Sequence, residues 1–343
     1  MNRILKTLLI FALVAQGAWA QRQKVTIIFP TRASQTWPLY IAKEGGYYEK
    51  YGFDVDLQFG VHPTAIAAIA SDQALMSPYT LEQSMQASFR DGSFIMLGQP
   101  YKKSSFALMA TKDITSVAGL KGKRIAVSQL ADAPYNYAVG LLARAKLTPR
   151  DVQWVPVGQG AGSRGIAVMA GRADATMLTA PEYFKLEQEG YRILGNIADA
   201  DEIYAPSVYL FKKTAVANND LAERMIKAQA EATKRFYDDK KFAVDAYVKW
   251  DPSQTRGDIE RVWDEYSKMG AYERVPYISA AAVKYVLDHP ADAQSAAAMR
   301  AYDFRKVIDN RIVDKLVKEG YFEKLFGAGV LAEQTAKSKG AFR

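Results

Sequence analysis

Between residues 25 and 215 short apolar runs alternate with helical stretches, and this alternation restricts the chain to a parallel α/β architecture. Candidate strands lie at 25–29, 53–59, 74–76, 94–97, 106–110, 124–127, 152–157, 175–178, 192–194 and 207–211. Candidate helices at 64–70, 81–89, 135–145, 164–170 and 181–189 separate many of them. Strands joined through helices run parallel, because only antiparallel neighbours can share a tight hairpin. So many strands exceed one ordinary sheet and suit two. From about residue 218 the pattern changes to helices alone. Leu221, Met225, Ala228, Ala232 and Phe236 follow helical spacing, as do Ile259, Val262, Trp263 and Tyr266. Val283, Val286 and Leu287 form a third group, and Ile308, Ile312 and Leu316 a fourth. The small, polar tail at 332–343 is expected to end loosely. The word GYYEK at 46–50 returns as GYFEK at 320–324, which reads as shared local punctuation, not duplication.

The first twenty residues stand outside this pattern. Arg3 and Lys6 precede an apolar run at 8–14, and Ala18-Trp19-Ala20 is a small-x-small cleavage site. This is the form of a secretory signal peptide, and the apolar run is too short to span a bilayer. The chain contains no cysteine, which excludes disulfides, a thiol nucleophile, thiolate metal sites and a lipid-anchored N-terminal cysteine. The reading is a protein of the bacterial periplasm, stabilised by its core. Removal of Arg3 and Lys6 lowers the formal net charge from +8 to +6. The remaining basic residues are dispersed, so no nucleic-acid partner is expected.

Metal and hydrolytic chemistry find little support. His62 and His289 are the two histidines, each before a proline, and no G-x-S-x-G elbow accompanies them. No catalytic residue, metal ligand or cofactor is assigned. The glycine-rich run GQGAGSRG at 158–165 lacks the Walker lysine, and serves either as a tight turn or as a set of backbone donors for a polar group.

The informative residues lie where strands give way to helices. The first junction offers Ser34, Gln35, Thr36 and Trp37, and the second Ser77 and Tyr79. The third offers Ser128, Asp132 and Tyr135, the fourth Gln159 and Arg164, and the fifth Thr179 and Glu182. Tyr204 stands just before a later strand. Each junction alone reads as a helix cap. Together, at the carboxyl ends of parallel strands on two sheets, they describe a ligand cleft. Polar groups would hold one end of a small molecule and aromatic rings would cover its body. Asp132 and Glu182 could accept hydrogen bonds from a ligand, or simply complement helix dipoles. Arg164 could pair with an anionic group, or stand at the surface.

Three segments resemble the periplasmic substrate-binding proteins of ABC importers, in the branch for sulfonates, taurine, nitrate and thiamine-pyrimidine precursors. They are PLYIAKEGGYYEKYGFDVDL at 38–57, LKGKRIAV at 120–127 and VMAGRADA at 168–175. The resemblance implies an α/β fold of the type II periplasmic-binding-protein class, with two lobes, two crossover strands and a helical C-terminal region. The crossovers are expected near 106–113 and 205–214. The first lobe would comprise 21–110 and 206–343, and the second 111–205. The partners implied are a small-molecule ligand and a membrane permease, with the receptor itself a monomer. In the first lobe, Ser71 and Ala74 stand where the family pattern expects glycine and aspartate, in a loop that contacts ligand in the family. Two other functions share the fold: an enzyme acting on a pyrimidine-like molecule, and a partner that presents ligand to a membrane sensor.

Overall fold

The structure is a computed structural model that describes residues 22–343 except 33, 104, 129, 131–132, 159–160, 200–205, 218–219 and 291–293. The segment expected to be a signal peptide, Asp132, Gln159 and Tyr204 lie outside the described residues. The first sheet contains β1 (Gln23–Phe29), β2 (Phe53–Phe59), β3 (Met76–Thr80) and β4 (Phe94–Met96). The second contains β5 (Phe106–Ala110), β6 (Arg124–Val127), β7 (Gln153–Pro156), β8 (Ala175–Thr179) and β9 (Arg192–Asn196). The chain then returns to the first sheet as β10 (Ser207–Lys212).

The strand orders are β2-β1-β3-β10-β4 and β7-β6-β8-β5-β9. The two orders are the same once β5 and β10 are seen as equivalent. Each sheet has four strands in one direction and one antiparallel strand supplied by a connection between lobes. This corrects the expected boundary. β5 pairs on both edges with β8 and β9, so it belongs wholly to the second lobe, not the first. β10 pairs on both edges with β3 and β4 and belongs wholly to the first. The crossings therefore fall between β4 and β5 and between β9 and β10, because a strand bonded on both sides cannot also bridge two sheets.

Local chemistry accounts for the elements. β2, FDVDLQF, buries Phe53, Val55 and Leu57 and exposes Asp54, Asp56 and Gln58, as an edge strand with one covered face should. β8, ATMLT, lies between β6 and β5 and is buried at every position. The second strand-to-helix junction differs from expectation, because β3 continues through SPYT to Thr80. β1 pairs with β3 only at Ile27 and Met76, so Pro78, which has no N–H to donate, stands past that ladder.

The first-lobe helices are α1 (Trp37–Glu44), α2 (Tyr47–Lys50), α3 (His62–Ala70) and α4 (Leu81–Arg90). The second lobe adds α5 (Ala133–Arg144), α6 (Ala161–Met169) and α7 (Glu182–Gln188). After β10 come α8 (Lys213–Val216), α9 (Leu221–Asp238), α10 (Lys240–Trp250), α11 (Arg256–Met269), α12 (Ala280–Asp288), α13 (Ala296–Ala301), α14 (Arg311–Lys318), α15 (Tyr321–Phe326) and α16 (Leu331–Lys339). α9 and α10 pack on α1, where Trp37 and Tyr40 meet Phe236, Tyr247 and Trp250. The second GYxEK word meets the residue that follows the first. Gly46 and Gly320 each enter a short helix with φ 69°, and the Tyr51 and Tyr321 hydroxyls lie 3.1 Å apart.

The tail does not end loosely. α16 runs to Lys339, Ala341 pairs with Ser279, and the Phe342 N–H donates to the Ile278 carbonyl at 2.8 Å. Arg343 then makes two bonds to Asp314, at 2.6 and 2.9 Å. Its small residues suit close docking as well as freedom, and composition does not distinguish the two.

Candidate functional site

The carboxyl ends of β6 and β8 lie side by side and carry the second-lobe junctions. Arg164, on α6, is 4% exposed and joins them. Its Nε donates to the Met177 carbonyl at 3.0 Å and its Nη1 to Ser128 Oγ at 2.7 Å. Arg164 is thus a buried tie between strand ends rather than a surface residue. Thr179 ends β8, and its hydroxyl donates to Glu182 Oε2 at 2.8 Å. Burial raises the half-buried Glu182 carboxyl above its ordinary value. The Thr179 bond and the Arg164 charge pull it back, and the Asp251 charge adds to the rise.

The first lobe meets this group through its own junction. Ser34 opens a short 3-10 turn before α1, and its Oγ donates to the Ala180 carbonyl at 3.4 Å. Gln35 donates to Thr31 Oγ1 at 2.7 Å, and Thr36 to Tyr40 Oη at 3.3 Å. Two tyrosines of the C-terminal region support the turn: Tyr272 donates to the Ser34 carbonyl, and Tyr247 to the Arg32 carbonyl at 3.5 Å. Burial pushes the Tyr247 phenol well above its ordinary value, and the Glu182 charge adds to this, with Asp251 also contributing. Asp251, which follows α10, is 5% exposed. Tyr40 is raised by burial to about 12 and also feels the charges of Asp251 and Arg32.

The sequence-predicted residues therefore separate. Ser34 and the Thr179–Glu182 pair lie along the seam where the two lobes meet, and Arg164 with Ser128 ties β6 to β8 within the second lobe. Tyr135 sits on the third junction, half-buried, with its ring 4.4 Å from Trp154. Trp37 does not cover the seam: it is fully buried against α9 and α10. Its indole N–H is held by a carbonyl of α10, which places it in the helical core. Tyr79 is buried too, donating to the His62 carbonyl at 2.8 Å with its ring against His62. Ser77 is a fully buried residue inside β3. Tyr247 and Asp251 carried no junction signal, since α10 is an ordinary helix in sequence and only packing brings its end to the seam.

The first-lobe departure from the family pattern also resolves. In the second lobe Gly171 has φ 68°, and Arg172 and Ala173 both donate to the Ala167 carbonyl. In the first, Asp72 has φ 60°, and Gln73 and Ala74 both donate to the Ala68 carbonyl. Asp72 is thus the equivalent of Gly171 and Leu75 of Asp174, one position later than Ser71 and Ala74. This turn enters β3 at its amino end, opposite the junctions. A concavity of about 700 Å³ lies on that side, lined by Gln23, Lys24, Asp54, Asp72 and Gln73, away from the seam.

A sequence profile described as NMT1/THI5-like matches residues 33–243, more than half of the chain and both lobes. The chain belongs to the NMT1/THI5-like family. Its relatives in structure have the periplasmic-binding-protein fold. The periplasmic aliphatic sulphonate-binding protein SsuA from Escherichia coli superposes with a TM-score of 0.69 at 17% identity, covering 84% of this chain and 92% of that one. The alkanesulfonate-binding protein SsuA from Xanthomonas axonopodis pv. citri, bound to MOPS, gives 0.64 at 18% identity, covering 85% and 99%. The desulfurization enzyme DszB gives 0.61 at 14% identity, covering 87% and 99%. No curated protein sequence matches the chain. This NMT1/THI5-like chain therefore shares its fold with binding proteins and with an enzyme, and its site must decide between them.

Proposed function

We propose that the chain is a periplasmic receptor that captures a small organic molecule between its lobes and delivers it to an ABC-type permease. The observation that carries this reading is the Ser34–Ala180 contact, where the ligand-side junctions of the two lobes meet. A molecule held there would touch both lobes at once, which is how a two-lobed receptor couples binding to closure. The binding-protein relatives of the same fold support it. No helix among the described residues is long and apolar enough to cross a membrane.

The walls favour a ligand that donates hydrogen bonds. Glu182 and Asp251 each accept from a neutral hydroxyl, of Thr179 and Ser253 respectively, and both keep further acceptor capacity. Arg164, the cation of the second-lobe wall, already serves Met177 and Ser128. A nitrogen heterocycle with an exocyclic amine suits such walls better than a sulfonate. The test is a thermal-shift screen of mature protein with aminopyrimidines, aromatic acids, taurine, alkanesulfonates and nitrate. A ligand at about 100 times its Kd stabilises by about 2.7 kcal/mol. Stabilisation by sulfonates alone would overturn the ligand class.

One observation favours a second reading. A raised Glu182 near Asp251 is the pattern of an acid–base pair, as an enzyme of this fold would need. Chemical change of the bound molecule, followed by mass spectrometry, would replace the receptor with that enzyme.

A further inference from the structure

Four residues from four separate segments form one hydrogen-bond chain where the lobes join. Asn196, at the end of β9, donates through Nδ2 to Ser105 Oγ at 2.8 Å. Ser105 Oγ lies 3.1 Å from the Tyr183 hydroxyl. Tyr183, in the first turn of α7, donates to Glu265 Oε2 at 2.7 Å. A phenol has one proton and a carboxylate only accepts. The Tyr183 proton therefore goes to Glu265, and Ser105 donates to the Tyr183 oxygen. The direction is single: Asn196 to Ser105 to Tyr183 to Glu265, with each donor facing an acceptor.

The position of this chain gives it mechanical meaning. Ser105 ends the outward crossing and Asn196 precedes the return, so both connections between lobes are rooted in it. Glu265 lies on α11, which packs on α10 and through it on α1 of the first lobe. Tyr183 follows Glu182, so α7 carries a seam residue and a member of the chain side by side. The Ser105 N–H and carbonyl extend the junction, bonding the Tyr266 hydroxyl and the Ala180 N–H, each at 3.3 Å. Arg261 adds an ion pair to Glu187 at 2.6 Å and stacks 3.8 Å from the Phe184 ring centre. That ion pair is exposed and contributes little. The sheltered hydroxyl chain, where neighbouring bonds polarise one another, is the stronger connection.

We propose that the Asn196–Ser105–Tyr183–Glu265 chain is a latch that sets the angle between the lobes, with Tyr183 and Glu265 as positioning residues for the cleft. This rests on the two-lobed receptor reading. A rotation of the second lobe that opens the seam moves α7 against α11 and breaks the Tyr183–Glu265 bond.

The chain has no cysteine, so spin labels can be placed without background. Ala67→Cys on α3 and Ala143→Cys on α5, both exposed, mark one lobe each. Pulsed dipolar EPR on the unliganded full chain then reads the interlobe distance. Tyr183→Phe keeps the ring and removes the donor, and is expected to shift and broaden the distribution. Glu265→Ala should do the same, and Glu265→Gln, whose amide oxygen still accepts, should restore much of the narrow distribution. Ser105→Ala breaks the same chain without touching α7 or α11, and serves if Tyr183→Phe does not fold. An unchanged distribution in folded Glu265→Ala and Ser105→Ala, as judged by circular dichroism, overturns the latch. Failure of the receptor reading has a different signature: no small molecule would move the wild-type distance, while the variants still would.

Discussion

Trp37 donates its indole N–H to the carbonyl of Ala243 at 2.6 Å. The bond fastens α1 to α10, and the ring lies within 4.8 Å of Tyr247 and 5.1 Å of Phe236, measured between ring centres. Trp37→Ala should therefore lower stability by about 3–5 kcal/mol, the usual cost of emptying a buried aromatic site. Trp37→Phe retains most of the contact and loses the bond, for about 1–2 kcal/mol. Urea unfolding measures both. Calorimetric affinity for a screened ligand should stay unchanged in Trp37→Phe, and a tenfold loss would return Trp37 to the site.

Arg164 and Ser128 should behave as one unit. Removing the guanidinium leaves the Met177 carbonyl and the Ser128 hydroxyl without their donor. Arg164→Ala is expected to cost about 2–4 kcal/mol, and Ser128→Ala about 1 kcal/mol. The double variant should fall short of the sum by at least about 0.5 kcal/mol, since both remove the same bond. Strict additivity in denaturant melts would mean that the two side chains do not depend on each other.

Glu182 makes stability depend on pH in a definite direction. Its folded-state carboxyl is raised by burial, so over the window from the ordinary carboxylate range up to the raised value the folded state binds more protons than the unfolded. Stability then falls as pH rises through that window. Glu182→Gln removes the charge and keeps an oxygen for Thr179. The variant should be more stable than wild type at pH 7 to 8, with the advantage disappearing below the ordinary carboxylate range. Parallel melting curves from pH 4 to 8 that stay equally spaced would contradict this.

Asp72 holds a left-handed backbone at φ 60°, where the equivalent Gly171 of the second lobe has no Cβ to strain. Its carboxylate is exposed to solvent, so its ion pair with Lys212 is worth little. Asp72→Gly should therefore gain about 0.5–1 kcal/mol. The reverse change, Gly171→Asp, should lose a similar amount or more. Ligand affinity should not move in either, because both turns enter their strands at the amino ends.

Much of the architecture was legible because its causes are local. Alternation of apolar runs with helical spacing, glycines at turns and polar residues before helices are written within a few positions of where they act. They were enough to place the strands other than β3, the helical C-terminal region and the junctions that include Ser34, Ser128, Thr179 and Glu182. The same local signals misplaced Trp37 and Tyr79, since a ring beside a junction looks alike whether it faces a cleft or a core. They also assigned β5 to the wrong lobe, because sheet membership depends on which strand edges remain open. Only the tertiary structure brought Tyr247 and Asp251 to the seam and set Glu265 against Tyr183. Those pairings join residues more than sixty positions apart in helices of ordinary pattern, and they follow from how α10 and α11 pack, which no local period encodes.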